Sequence, residues 1–185
     1  MKLAKVGAFI LGFAIGWAAF VILTLIVHEA HGFDSNKHPI YKQIIKNKPK
    51  ISKKYAMELS NIIHRLSKKY NIDSRIYTAI LAQESGYNLA AKNCVSGYAA
   101  GTGEIVKICA DIGISQLNYR NIEKLKLDVD RLQVDLEYSV EAGANILSNF
   151  KKRYSKKEPV SYWSRYNSST PSKRRIYELL VERYL

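Results

Sequence analysis

The sequence predicts a mainly α-helical domain containing one small β-hairpin or loop, preceded by a single N-terminal transmembrane helix. Three observations carry that expectation. Val6–Val27 holds no charge and no polar group beyond Thr24, and about 20 apolar residues suffice to cross a bilayer. Downstream, apolar residues recur at helical spacing through most of the chain. Between Tyr87 and Asp111 that period stops. There Gly97, Gly101 and Gly103 surround Ile105-Val106-Lys107-Ile108, which reads as a turn-rich segment with a short strand.

Lys2 and Lys5 precede the apolar run, which by the positive-inside rule puts the N-terminus in the cytoplasm and the rest outside. A cleaved signal peptide is the competing reading. It is weaker because the run is long and His28, not a small residue, stands two positions before Ala30. The expected organisation is therefore an anchor over 1–28, a basic tether over 29–51 and a folded domain over 52–185. That describes a single-pass protein of the cytoplasmic membrane with its domain on the outer, periplasmic side. The tether reading rests on the Lys-rich stretch His38–Lys54, broken by Pro39 and Pro49, whose charges suit a short helix or linker near anionic lipid.

His28-Glu29-Ala30-His31 does not make a zinc site. A zinc-binding helix needs two His four apart on one face, and these are three apart. His38 and His64 stand alone, so neither a metal nor a cofactor is expected.

Within the domain, Tyr55, Leu59, Ile62, Ile63, Leu66 and Tyr70 form the apolar stripe of an amphipathic helix that Asn71 stops. The next helix runs from Ile72 to Gly86. Asp73 or Ser74 can cap its start and Gly86 can end it. Ile72, Ile76, Ala79, Ile80 and Gln83 recur at helical spacing, and Glu84 continues the line Ile76–Ile80. An acid in that position is disfavoured as a carboxylate by burial and by the negative end of the helix dipole. Both raise its pKa, as a proton donor near neutral pH requires. The alternative is a helix-end glutamate that simply reaches solvent.

Cys94 and Cys109 bracket the Gly-rich segment. Outside a cytoplasmic membrane, two such cysteines read as a disulfide. Further helices are expected from Leu132 to Tyr154, around Tyr162–Asn167 and from Ser172 to Tyr184. The 29 Lys and Arg outnumber 16 Asp and Glu, and leaving out residues 1–27 takes the net charge from +13 to +11. So basic a domain implies an anionic partner, such as nucleic acid, a lipid surface or a cell wall. The 13 Tyr and two Trp suit either base stacking or sugar contacts and do not decide.

Three pieces stand in chain order: Glu84-Ser85 at a helix end, Gly113-Ile-Ser-Gln116, and Tyr166-Asn167. Together, with Ala142-Gly143 through Ile146-Leu147 between the last two, they resemble the lysozyme-like lytic transglycosylases, the soluble lytic transglycosylase family related to goose-type lysozyme. The likeness covers roughly Ser52 to the C-terminus. Asp-Ile-Gly-Ile-Ser-Gln-Leu-Asn is most similar to members that accompany secretion, conjugation or phage-entry machines. The resemblance implies a lysozyme-like fold that cleaves the β-1,4 bonds of peptidoglycan strands and leaves 1,6-anhydro ends. It gives Glu84 the role of catalytic acid and then base. Ser85 and Gln116 would hold the sugar, and Tyr166 would orient Glu84 with Asn167 beside it. Peptidoglycan is then the expected anionic partner, and nucleic acid is not. Ser115 stands where Leu-Met-Gln members of that family have Met, though small residues also occur there, and Ser169 stands where its last motif, Tyr-Asn-x-Gly, has Gly. Two alternatives stay open: a hydrolase in which Asp111 or Glu104 positions water, and a catalytically silent cell-wall-binding scaffold.

Overall fold

The computed structural model describes residues 38–98 and 105–185, and Pro39–Leu185 forms one compact unit. Helices α1 (Pro39–Asn47), α2 (Lys53–Tyr70) and α3 (Ser74–Ser85) come first. A three-stranded antiparallel sheet in the order β1-β2-β3 follows, built from Lys92–Tyr98, Ile105–Ile112 and Leu117–Asn118. The chain then returns to helices: α4 (Tyr119–Leu125), α5 (Arg131–Val134), α6 (Leu136–Tyr154), a 3-10 turn (Tyr162–Tyr166) and α7 (Pro171–Glu182).

The expected transmembrane helix is corrected. Among the described residues no helix is long and apolar enough to cross a membrane. The longest, α6 with 19 residues, carries Glu137, Glu141, Lys151, Lys152 and Arg153, so it is amphipathic and built to lie against a core. Residues 6–27, which prompted the expectation, lie outside the described residues. The single-pass architecture and the placement at the cytoplasmic membrane are therefore not supported. The compact unit also begins at Pro39 rather than Ser52. Ile40, Tyr41 and Ile44 of α1 are buried in the main core, because the apolar residues of this Lys-rich stretch all lie on one helical face.

Local chemistry explains the central helix. Asp73 caps α3 by accepting from the amides of Arg75 and Ile76 at 2.8 and 3.0 Å. Gly86 ends it in the left-handed region, at φ 58°. Its residues 77–82 are all buried, so α3 is a core helix surrounded by α1, α2 and α7. Around it, Leu59, Ile63 and Leu66 of α2 and Leu147 of α6 are fully inaccessible, each stabilising the fold by about 1.5–3 kcal/mol.

The expected hairpin is present and carries one more short strand. Cys94 lies opposite Cys109 in the β1–β2 register, and Asn93 opposite Asp111, which leaves Ala110 as the extra residue of a bulge. The two cysteines form the expected disulfide. Past the bulge β2 runs into a tight turn at Gly113–Gln116 and folds back into β3.

Candidate active site

Four segments meet at the C-terminal end of α3. Glu84 is in its last turn, beside a cleft of about 230 Å³ lined by Gln83, Asn167, Lys173, Ile176, Tyr177 and Leu180. The larger cavities, of about 350, 510, 550 and 610 Å³, have no carboxylate in their linings. The acid, rather than cavity size, marks this cleft.

Burial pushes the Glu84 carboxyl up from 4.5 to about 7. A hydrogen bond from Tyr177 pulls it back, and the charge of Asp111 pushes it further up. The Tyr177 hydroxyl donates to Glu84 Oε1 at 2.5 Å. Burial keeps the Tyr177 phenol well above its ordinary range, so it remains a donor. Tyr177 was missed at the level of sequence. Its signal was faint: a tyrosine in the apolar register of the last helix, where a phenol buried among aliphatics needs a polar partner.

The other motif residues build the wall next to Glu84. The Ser85 hydroxyl donates to Ile114 O at 2.7 Å and accepts from the Asn88 amide at 3.2 Å. Tyr166 donates its hydroxyl to Ser115 O at 2.9 Å, so the hydroxyl that reaches Glu84 belongs to Tyr177. Gln116 Nε2 donates to Gly113 O at 2.9 Å and Ala91 O at 3.1 Å. These bonds hold Gln116 at φ 44°, a conformation uncommon for a residue with a side chain. Gly113 sits at φ 79°, where a Cβ would stand 2.6 Å from Ser139 Oγ. No other residue fits there.

Ser115 is fully buried. Its hydroxyl donates to Ser139 O at 3.0 Å and lies 3.4 Å from the Tyr77 hydroxyl. A Cβ on Gly143 would overlap Ser115 and stand 2.6 Å from that hydroxyl. Tyr77 and the α6 backbone thus occupy the space a longer side chain would need. Ser169 is exposed in the bend before α7.

Asn167 is exposed at the cleft. Asp111 accepts from Asn93 Nδ2 at 3.0 Å on the neighbouring strand. Glu104 lies outside the described residues. Behind the cleft, Glu158 accepts from Arg165 Nε at 2.8 Å and Arg174 Nη1 at 2.6 Å, tying the 3-10 turn to α7. Among the described residues no cluster of His, Cys, Asp and Glu is placed to hold a metal ion.

The geometry thus joins one buried acid, protonated near neutrality, to an open cleft with amide and ammonium groups at its rim. No match to a curated protein is found. The family model of the transglycosylase SLT domain matches residues 61–176, a span that holds Glu84, Gln116 and Tyr166 and covers more than half of the sequence. On that match the chain belongs to the SLT transglycosylase domain family, the lytic transglycosylases that cleave peptidoglycan.

Proposed function

We propose that Glu84 is the acid and base of a lytic reaction that ends in a 1,6-anhydro sugar. The observation that supports this most is a carboxyl pushed to about 7 by burial and gripped by Tyr177. Such a group is protonated in a useful fraction at neutral pH and is still a competent base once ionised. Glu84 gives its proton to the bridging oxygen as the bond from C1 breaks and positive charge develops on the ring. The resulting carboxylate takes the proton of the same sugar's 6-hydroxyl, whose oxygen bonds to C1. No water is consumed and Glu84 regains its proton.

Asn167 and Lys173 stand at the cleft beside Glu84 and would touch the sugar. Ser85, Gln116 and Tyr166 donate to the carbonyls of the 113–116 turn and its neighbour Ala91. Their role in this reading is to position the wall of the cleft. A second reading, hydrolysis with Asp111 placing a water, draws on the reach of Asp111's charge to Glu84.

The test is Glu84→Gln together with the mass of the products. Gln keeps the shape and removes the titrating proton, so strand cleavage should fall by about 10²–10⁴-fold while the thermal transition persists. Anhydro ends, with Asp111→Asn still active, are expected. Free reducing ends would assign the hydrolytic reading, and unimpaired cleavage by Glu84→Gln would remove Glu84 from the chemistry.

A further inference from the structure

Just past Glu84 the backbone takes a turn that one of its residues disfavours. Gly86 and Tyr87 stand in succession in the left-handed region, at φ 58° and 62°. For Gly86 this is the ordinary way to end a helix. For Tyr87, with its bulky ring, it is an outlier that persists only where the surroundings over-determine it. The last turn of α3 closes onto this pair: the Gly86 amide donates to Ala82 O at 2.9 Å and the Tyr87 amide to Leu81 O at 3.4 Å. The position of Glu84 therefore depends on whatever fixes residues 86 and 87.

Among the described residues three side chains donate to this pair, one from the end of α1, one from the corner after it and one from the first turn of α2. Lys48 Nζ donates to Gly86 O at 2.6 Å. The Tyr55 hydroxyl donates to Tyr87 O at 3.1 Å, and Asn47 Nδ2 to the Tyr87 hydroxyl at 3.1 Å. Burial, with the charge of Glu58 adding to it, pushes the Tyr55 phenol up to about 12, so it stays a donor. The corner is itself braced. The Ile51 amide donates to Lys48 O at 3.0 Å, closing a four-residue turn with Pro49 second, where its fixed φ fits. Among the described residues Lys48 forms no ion pair, which leaves its ammonium to the Gly86 carbonyl. From the same turn, Ser85 Oγ reaches Ile114 O at 2.7 Å, so the acid and the wall beside it rest on one support. All three donors precede residue 61, where the family match begins.

Building on Glu84 as the acid of the reaction, we propose that Lys48, seconded by Tyr55, is a positioning residue that locks the 86–87 turn and so sets where the Glu84 carboxyl stands against the bond it cleaves. It acts through the backbone and not as a charge on the acid. The charged and titratable groups that face Glu84 are Tyr177 and Lys173 of α7, Tyr166 of the 3-10 turn and Asp111 of β2. Without the Lys48 strut the last turn of α3 is free to fray, and the carboxyl samples positions away from the glycosidic oxygen. A misplacement of about 1 Å is enough to cost up to about 10²-fold in rate. Asn167 and Lys173, the polar groups of the cleft beside Glu84, stand on other elements, so sugar binding does not depend on the strut.

Kinetics of strand cleavage by the full chain test this. Lys48→Met removes the donor and keeps the stem. Its kcat should fall by about tenfold, while KM and the alkaline limb of the pH profile stay in place. Lys48→Arg, which can still donate to a carbonyl, should recover most of the loss. Tyr55→Phe should show the same split between kcat and KM, and it carries the test if Lys48→Met does not fold. In the Glu84→Gln background, adding Lys48→Met should cost nothing further, because no acid is left to place. Wild-type kcat in Lys48→Met and Tyr55→Phe would overturn the proposal. So would a loss confined to KM, a displaced limb, no recovery by Lys48→Arg, or a further fall in the Glu84→Gln background. Glu84→Gln cleaving at the wild-type rate would instead refute the Glu84 reading, and the role of Lys48 with it.

Discussion

Tyr177 of the last helix and Glu84 of the central one are joined by a 2.5 Å hydrogen bond from the phenol to Oε1. An O–H donor aimed at a carboxylate favours its charged form. This bond opposes the burial that raises Glu84, and the charge of Asp111 acts in the other direction. Opposite shifts follow. Tyr177→Phe should move the alkaline limb of the kcat/KM profile above pH 7, and Asp111→Asn should move it below. Limbs that stay in place, or that move together, would contradict the assignment of that limb to Glu84.

The same carboxyl also makes stability depend on pH. Its folded pKa of about 7 lies above the ordinary 4.5. Stability is therefore full below 4.5 and is lost as pH rises through 7. Glu84→Gln has no charge to bury, so it should gain on the wild type between pH 5 and 8, by at most about 3 kcal/mol. Urea unfolding of both proteins at the two pH values measures this, and an advantage that shrinks with pH would reverse the argument.

Glu158 carries the opposite sign. Arg165 and Arg174 hold its carboxyl down at about 2. The stability it supplies is present above the ordinary 4.5 and is lost as pH falls through 2. Glu158→Gln should therefore unfold at a lower temperature than wild type at pH 7, and the gap should close on titration toward pH 2. A gap that persists there would mean packing, not charge, holds this junction.

The Cys94–Cys109 disulfide spans a sequence separation of 15. Closing a loop of that size stabilises by about 3 kcal/mol on the chain-entropy account. Cys94→Ser/Cys109→Ser should lower the urea midpoint accordingly, and the wild type treated with reductant should behave the same way. Equal stability with and without the bond would show that the strand pairing alone fixes the hairpin.

Features set by neighbours in sequence were legible. The Asp73 cap, the Gly86 stop and the end of α2 at Asn71 each follow from rules that act over a few residues, whereas the pairing of the two cysteines, 15 residues apart, was expected from a membrane topology that the structure does not support. Two expected helices came out differently in detail. The stretch from Leu132 splits at Asp135, whose side chain caps α6. The segment at Tyr162 is a 3-10 turn. What sequence could not supply was which hydroxyl crosses to which carbonyl. Tyr166 was expected to orient Glu84, yet it reaches Ser115 O while Tyr177 reaches the acid. Periodicity gives the face on which a side chain lies, but the partner depends on how two distant helices are packed. The same limit hid not the short helix α1, which the Lys-rich stretch allowed, but the packing of its apolar face into the core.

Helix α1 has one further consequence, for where the domain can be cut. Gln43 Nε2 and Asn47 Nδ2 both donate to Tyr184 O, each at 2.9 Å. These two amides clasp the first element of the unit to its last. The family match stops at residue 176, so a fragment trimmed to it would lose both halves of the clasp and also Tyr177, one position further on. Such a fragment would keep every recognisable motif and still be an incomplete module, its acid stripped of the phenol that holds it. The functional boundary is drawn by the clasp, and it encloses more chain than the motifs do.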